Sequence, residues 1–221
     1  DCNPLHPQQA GFCPVLGTET VMLSVLDELR MDTDQGLSSA LILLNLSAMF
    51  DTVNDGILLS RLEAVGLIDM ALRWVSSFQL GRSQLVKLGL FSSSRSTLSC
   101  GVPQGSAISP LLFNIYIRPL VAALARMDCR IFSYTDDTQL LLRLSNSPDA
   151  QSNAQSILRF VSNWMSANML KLNPDKTEII VVKTASSPWS DLYWPSELGT
   201  CPSAAPFSKS LGIKVDDALS R

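Results

Sequence analysis

Cys129-Arg130-Ile131-Phe132-Ser133-Tyr134-Thr135-Asp136-Asp137-Thr138-Gln139-Leu140-Leu141-Leu142-Arg143-Leu144 joins two apolar runs at a pair of adjacent aspartates. Runs of this length on either side of a short polar break read as a β-hairpin with the carboxylates at its tip. Adjacent carboxylates repel each other, and desolvation makes the repulsion worse. A divalent cation with oxygen ligands is the economical way to offset it. A solvated Asp-Asp turn is the plain alternative, because Asp is a common turn residue. The choice between the two rests on the rest of the chain.

Working backward from the hairpin, Gly101-Val102-Pro103-Gln104-Gly105-Ser106 is a tight loop before an apolar helix over 108–116 with Pro110 in its first turn. Glycines beside a helix start allow a ligand close to the backbone, and free N–H groups there favour anions. Segments 84–89 and 97–100 form a hairpin around a Ser-rich turn, carrying Lys87 and Arg95 as a solvated edge. Two short helices, 57–65 and 70–80, break at Gly66, with Trp74 and Phe78 on the inner face of the second. The run Ser39 to Leu46 reads as a strand covered on both faces and ends in Asn45. Before it, Val21, Met22, Val25, Leu26 and Leu29 recur at helical spacing after Thr18 as N-cap, and Asp32 and Asp34 fall in the following turn. Residues 1–17 are loop, with His6 on the surface.

Working forward, Ala150 to Leu170 carries one apolar stripe of a helix. Lys171-Leu172-Asn173-Pro174-Asp175-Lys176-Thr177-Glu178 then turns into the strand 179–183. The Pro-rich segment 185–206 is a loop, and 210–215 is a last short strand.

The 221 residues, 46% of them hydrophobic, with mean hydropathy +0.19, suffice for one substantial core. No apolar run has the roughly 18 residues of a spanning helix, so no membrane role is expected. Cys2, Cys13, Cys100, Cys129 and Cys201 are odd in number and scattered, which points to a reducing, intracellular setting, nucleus or cytoplasm, and to no zinc site. A net charge of −3 and a pI near 5.1 count against tight autonomous nucleic-acid binding. The chain starts at Asp1 and stops at Arg221 without a closing element, which suggests a piece of something longer.

Seven stretches, in order, carry a family resemblance: Gln9-Ala10-Gly11-Phe12, Leu44 to Val53, Cys100 to Ser106, Ser109 to Asn114, Tyr134 to Thr138, Leu170 to Glu178, and Leu211-Gly212. Together they resemble the reverse transcriptase domain of non-LTR, LINE-type retrotransposons. The resemblance implies an α+β right-hand polymerase of interleaved fingers and palm over 1–221, with helices packed on an antiparallel palm sheet. The thumb would be largely absent, with 185–206 a loop and 207–221 the start of the primer-grip region.

The implied reaction is RNA-directed DNA synthesis: deoxynucleotide triphosphates added to a DNA primer on an RNA template, with Mg²⁺, or Mn²⁺ in its place, as a metal pair roughly 3.5–4 Å apart. By position, Asp136 and Asp137 would be metal carboxylates. Phe50 would wall off the ribose 2′-hydroxyl, Gln104 and Gly105 would meet the incoming nucleotide or template, and Tyr134 would border the nucleotide site. Lys176 would donate a proton or contact the triphosphate.

Departures from the family pattern bear on activity. Asn45 stands where the family has its first, bridging aspartate; it is nearly isosteric but neutral. Asp51, six residues on, would be about 20 Å away in an extended chain and could not replace it unless the backbone folded back sharply. Losing one preorganised electrostatic group costs ~10²–10³ in rate, and a bridging ligand more. Cys13 stands in place of a finger arginine, Val53-Asn54-Asp55-Gly56 is altered, and Thr135 replaces the usual Ala. The expectation is therefore a polymerase domain with a degenerate, impaired site. The alternatives are a relic fold that binds nucleic acid weakly or not at all, and an unrelated metal-dependent protein.

Overall fold

The computed structural model describes residues 17–127, 129–134, 137–144, 149–173, 176–184, 207–210 and 213–216. The expectations for His6, Cys13, Thr135, Asp136, the loop 185–206 and Leu211-Gly212 fall outside them.

Helix α1 (Thr18–Asp34) leads into β1 (Ser38–Leu44). Helices α2 (Asp55–Ala64) and α3 (Asp69–Gln79) follow, then four two-residue strands, β2 (Ser83–Gln84), β3 (Lys87–Leu88), β4 (Phe91–Ser92) and β5 (Ser96–Thr97). Helix α4 (Ser109–Leu124) precedes the pair β6 (Cys129–Tyr134) and β7 (Asp137–Leu144). Helix α5 (Ala150–Ala167), β8 (Glu178–Val182), β9 (Phe207–Ser210) and β10 (Ile213–Asp216) complete the order.

The central sheet runs β6-β7-β1-β8 and every pairing in it is antiparallel. Strand β1 is apolar from Ala40 to Leu44, and both its faces are covered. Its even-numbered residues Ala40, Ile42 and Leu44 join the larger core, with Leu140 and Leu142 of β7, Phe113, Ile117 and Leu120 of α4, and Ile157, Leu158 and Val161 of α5. Its odd-numbered Leu41 meets Met22, Val25 and Leu29 of α1 in a smaller core with Leu141, Ile180 and Val182. The side-chain period of two in a strand therefore sorts one run into two cores. The register keeps the parity: Leu41 lies opposite both Leu141 and Ile180.

Several expectations change. Gly17, not Thr18, is the α1 N-cap, and the helix continues through Asp32 and Asp34 instead of ending before them. Asp32 is fully buried, because Arg143 donates to it from Nε at 2.6 Å and the Ser39 hydroxyl at 2.7 Å. Arg143 also reaches Glu28, at 3.4 Å. The inner face of α3 is Val75 and Gln79, while Trp74 is 57% exposed and stacks on the partly buried Phe78. Helix α4 continues eight residues past Tyr116 because Leu120, Val121 and Leu124 extend its buried stripe, and it runs through Pro119, which has no N–H to donate and whose ring crowds the preceding turn. Residues 207–210 and 213–216 pair as two strands where one was expected.

Tyr116 of α4 ties the helical layer together. Its hydroxyl donates to the Asn168 carbonyl at 2.7 Å and accepts from the Asn54 N–H at 3.4 Å, and burial pushes its pKa up. The Arg61 guanidinium lies over the Tyr116 and Trp164 rings at 4.5 and 5.1 Å. Asn54 caps α2 by accepting from the Ile57 N–H at 3.0 Å, a local reason for Asn at that position. Among the described residues, no helix is long and apolar enough to cross a membrane.

Candidate functional site

The β6–β7 hairpin forms as expected. Tyr134 pairs with Asp137, the first residue of β7. Strand β1 runs antiparallel beside β7 with Leu44 opposite Thr138. Continuing that register by one residue brings Asn45 level with Asp137. Positions 92 residues apart thus meet at one end of the sheet, through pairing that the apolar runs dictate.

The segment 171–177 is fastened to the same end. The Asn173 N–H donates to the Asn45 carbonyl at 2.8 Å, the Ser47 N–H donates to the Lys171 carbonyl at 2.8 Å, and Leu46 bridges Leu172. The Thr177 hydroxyl donates to the Asn173 carbonyl at 2.7 Å and lies 3.5 Å from the Asn45 N–H. Lys176 rides on this turn with its side chain exposed. The backbone of Asn45 is therefore committed to structure.

Beyond Leu46 the chain turns tightly, with Ala48 at φ 47° and the Asp51 N–H donating to the Ala48 carbonyl at 2.9 Å. The extended-chain estimate for Asp51 does not hold. Its carboxylate nevertheless has another partner, the Gln104 side-chain amide at 3.0 Å. Phe50 is half-buried, edge-on to Phe113 with ring centroids 5.7 Å apart.

Loop 100–106 binds this turn through its backbone. The Gly101 N–H donates to the Val53 carbonyl at 2.7 Å and the Val102 N–H to the Phe50 carbonyl at 2.6 Å. Gly101, at φ +91°, has no room for a side chain: a Cβ would lie 3.0 Å from Asp51 Cα, Asp51 O and Phe50 O. The close approach expected of this loop is thus to the protein's own backbone. At Gly105 (φ +79°) nothing lies within 4 Å of a Cβ, and Gln104 and Gly105 are both exposed.

Arg82, just past the end of α3, is the clamp. It donates to the Gln79 carbonyl at 2.6 Å, the Cys100 carbonyl at 3.3 Å and the Gly101 carbonyl, and lies 3.8 Å from the Asp55 carboxylate. Burial raises the Asp55 pKa, and the Arg82 charge opposes the rise. Arg82 and Thr177 are the two anchors that sequence reasoning missed; the only available signal was their closeness in sequence to Gln79 and Lys176.

An apolar cavity of about 860 Å³ lies among α2, α3 and α4, lined by Leu62, Leu67, Val75 and Leu112 among others. None of Asn45, Phe50, Gln104 or Lys176 borders it. Among the described residues no three His, Cys, Asp or Glu side chains are grouped to hold a metal; Asp136 is not one of those residues.

The sequence profile of the family "Reverse transcriptase (RNA-dependent DNA polymerase)" matches residues 1–213. The chain belongs to the reverse transcriptase family. The homology extends, distantly, to polymerases of non-LTR retrotransposons. The domain is 31% identical over 129 residues, 55% of this chain and 14% of the relative, to the probable RNA-directed DNA polymerase from transposon BS of Drosophila melanogaster. It is 27% identical over 159 residues to the RNA-directed DNA polymerase from mobile element jockey of the same organism, covering 66% of this chain and 16% of that protein. With the Pol polyprotein of the R2 element of Popillia japonica, identity is 22% over 227 residues, covering 97% and 29%. The reverse transcriptase domain thus spans a minor part of these relatives' length.

Apo telomerase from Candida tropicalis shares the fold, with a TM-score of 0.61 at 11% identity over 95% of this chain and 36% of that one.

Proposed function

We propose that this reverse transcriptase domain is the interleaved fingers and palm of an RNA-directed DNA polymerase whose nucleotidyl transfer is impaired at Asn45. The observation that carries the reading is the convergence at one sheet end: the paired Tyr134 and Asp137 backbones, Asn45, Lys176, and the Gln104 loop bound to Phe50 and Asp51. Residues 207–221 then enter the primer-grip region.

Asp136, Asp137 and the Asn45 amide carbonyl are all oxygen donors, which suits Mg²⁺ or Mn²⁺. When bound, the metal pair lowers the pKa of the primer hydroxyl and stabilises the leaving pyrophosphate. The bond formed joins the primer 3′ oxygen to the α-phosphorus, and the α–β anhydride breaks. Phe50, held edge-on against Phe113, narrows the space at the sugar and disfavours a 2′-hydroxyl. Gln104, steadied by Asp51, meets the nucleotide or the template base. Lys176, exposed on its turn, offers a proton to the departing pyrophosphate. Asn45 keeps the shape of an aspartate but supplies one neutral oxygen where a bridging charge is wanted.

Primer extension on an RNA template, with deoxynucleotide triphosphates and Mg²⁺ or Mn²⁺, tests this reading. Slow extension that Asp136→Ala abolishes is expected; extension indifferent to Asp136→Ala would overturn it. The neutral Asn45 also favours a second reading, a relic polymerase fold that binds nucleic acid weakly. No extension together with a steeply salt-dependent affinity for primer–template duplex would select that one.

A further inference from the structure

Charge is not spread evenly along this chain. Between Asp69 and Asp128 there is no carboxylate, while Arg73, Arg82, Lys87, Arg95, Arg118 and Arg126 all fall there. A protein of net charge −3 thus contains 58 consecutive residues carrying +6. The whole-chain pI conceals a cationic region.

The outermost part of that region is the nested hairpin of β2 to β5. Lys87 pairs with Ser92 and Leu88 with Phe91, around a Gly89-Leu90 tip, while Ser83 and Gln84 pair with Thr97 and Ser96 at the base. Every residue from 83 to 97 is exposed. A solvated edge has no use for the side chains found there: Val86, Leu88, Leu90 and Phe91 are 73%, 79%, 101% and 81% exposed. Apolar groups gathered at such a tip mark an interaction site. Lys87 and Arg95 belong to the same hairpin and are also exposed. The base of the hairpin is held against the Gln104 loop by Arg82, through the Cys100 and Gly101 carbonyls.

We propose that the 83–97 hairpin is a docking element for a single-stranded polynucleotide, with Phe91 as the stacking face and Lys87 and Arg95 as phosphate contacts. A carboxylate-free hairpin selects a polyanion over an average protein partner, and an exposed aromatic on the same element as cations is the pattern that holds unpaired bases without sequence preference. The anchoring by Arg82 carries such a strand toward the Gln104 loop, as an unpaired template would require. The inference rests on the polymerase reading.

The test is fluorescence anisotropy of a labelled 20-nucleotide single-stranded RNA with the full chain, against salt, with primer–template duplex measured in parallel. All the altered side chains are exposed, so circular dichroism should report the wild-type fold. Phe91→Ala should weaken single-strand binding about 5- to 150-fold, the range that one lost base stack implies. Lys87→Glu with Arg95→Glu should flatten the log–log salt slope by about 1.4, whereas Arg30→Glu, on an exposed part of α1, should change little. Hairpin variants that bind like the wild type, or an Arg30→Glu loss equal to theirs, would overturn the proposal while leaving the polymerase reading in place. A wild-type chain that binds neither probe would overturn both. A self-associating chain that Phe91→Ala renders monomeric, with RNA binding unchanged, would assign the hairpin to a protein interface instead.

Discussion

Replacing Gly101 with alanine puts a methyl group where two backbone segments touch. Three atoms of Phe50 and Asp51, all main chain, would lie 3.0 Å from the new Cβ, and none belongs to a side chain that could swing away. The positive φ of 91° adds about 1–2 kcal/mol for a residue with a Cβ. Overpacking in a close-fitting site adds about 1–3 kcal/mol. Gly105→Ala is the internal comparison, because it has a similar φ and open space around it. Its cost should stop at the backbone contribution.

For a domain of this size each kcal/mol moves the melting temperature by about 2–4 °C. Gly101→Ala should therefore melt roughly 4–20 °C below wild type, and Gly105→Ala about 2–8 °C below. Thermal melts followed by far-ultraviolet circular dichroism read both. Equal losses would refute the claim that the Pro-Gln-Gly loop is positioned by backbone contact with the Phe50 turn.

Two further expectations concern the buried charges. Arg143→Met removes the guanidinium from the fully buried Asp32 carboxylate and leaves it the Ser39 hydroxyl, and should cost about 3–5 kcal/mol in urea unfolding, much of which Asp32→Asn in the same chain should restore. Asp55 has a folded-state pKa above its unfolded value, so the folded chain binds the proton more tightly and the penalty of its charge is present above the folded pKa. The urea midpoint of Asp55→Asn minus that of wild type should therefore fall as pH is lowered from 7 toward 4; a constant or growing difference would show that burial does not raise this pKa.

Strand β1 was legible because a run covered on both faces needs no alternation, and the Asp-Asp hairpin because a polar pair between apolar runs has few other readings. The end of α1 was not. Asp32 looks like a turn residue until Arg143, 111 positions away, is brought beside it by the β1–β7 pairing. Trp74 misled for the opposite reason: its spacing fits the buried stripe, but the buried positions of α3 are Val75 and Gln79.

At the site, the apolar runs of β1 and β7 were legible as strands, and their antiparallel register sets Leu44 opposite Thr138. The clamps were hidden. Arg82 and Thr177 act on main-chain carbonyl and amide groups, and such contacts leave no pattern in side-chain identity. The charge asymmetry of 70–127 was present in the sequence but averaged away in the net charge.

Primer extension by the chain beside its Asn45→Asp variant, each with Mg²⁺ and with Mn²⁺, decides whether the neutral side chain at Asn45 limits nucleotidyl transfer. Restoring the carboxylate at the end of β1 should raise the extension rate by at least ~10²–10³, the range for one preorganised electrostatic group. Equal rates for the two chains would contradict the assignment of Asn45 to the metal-bridging position.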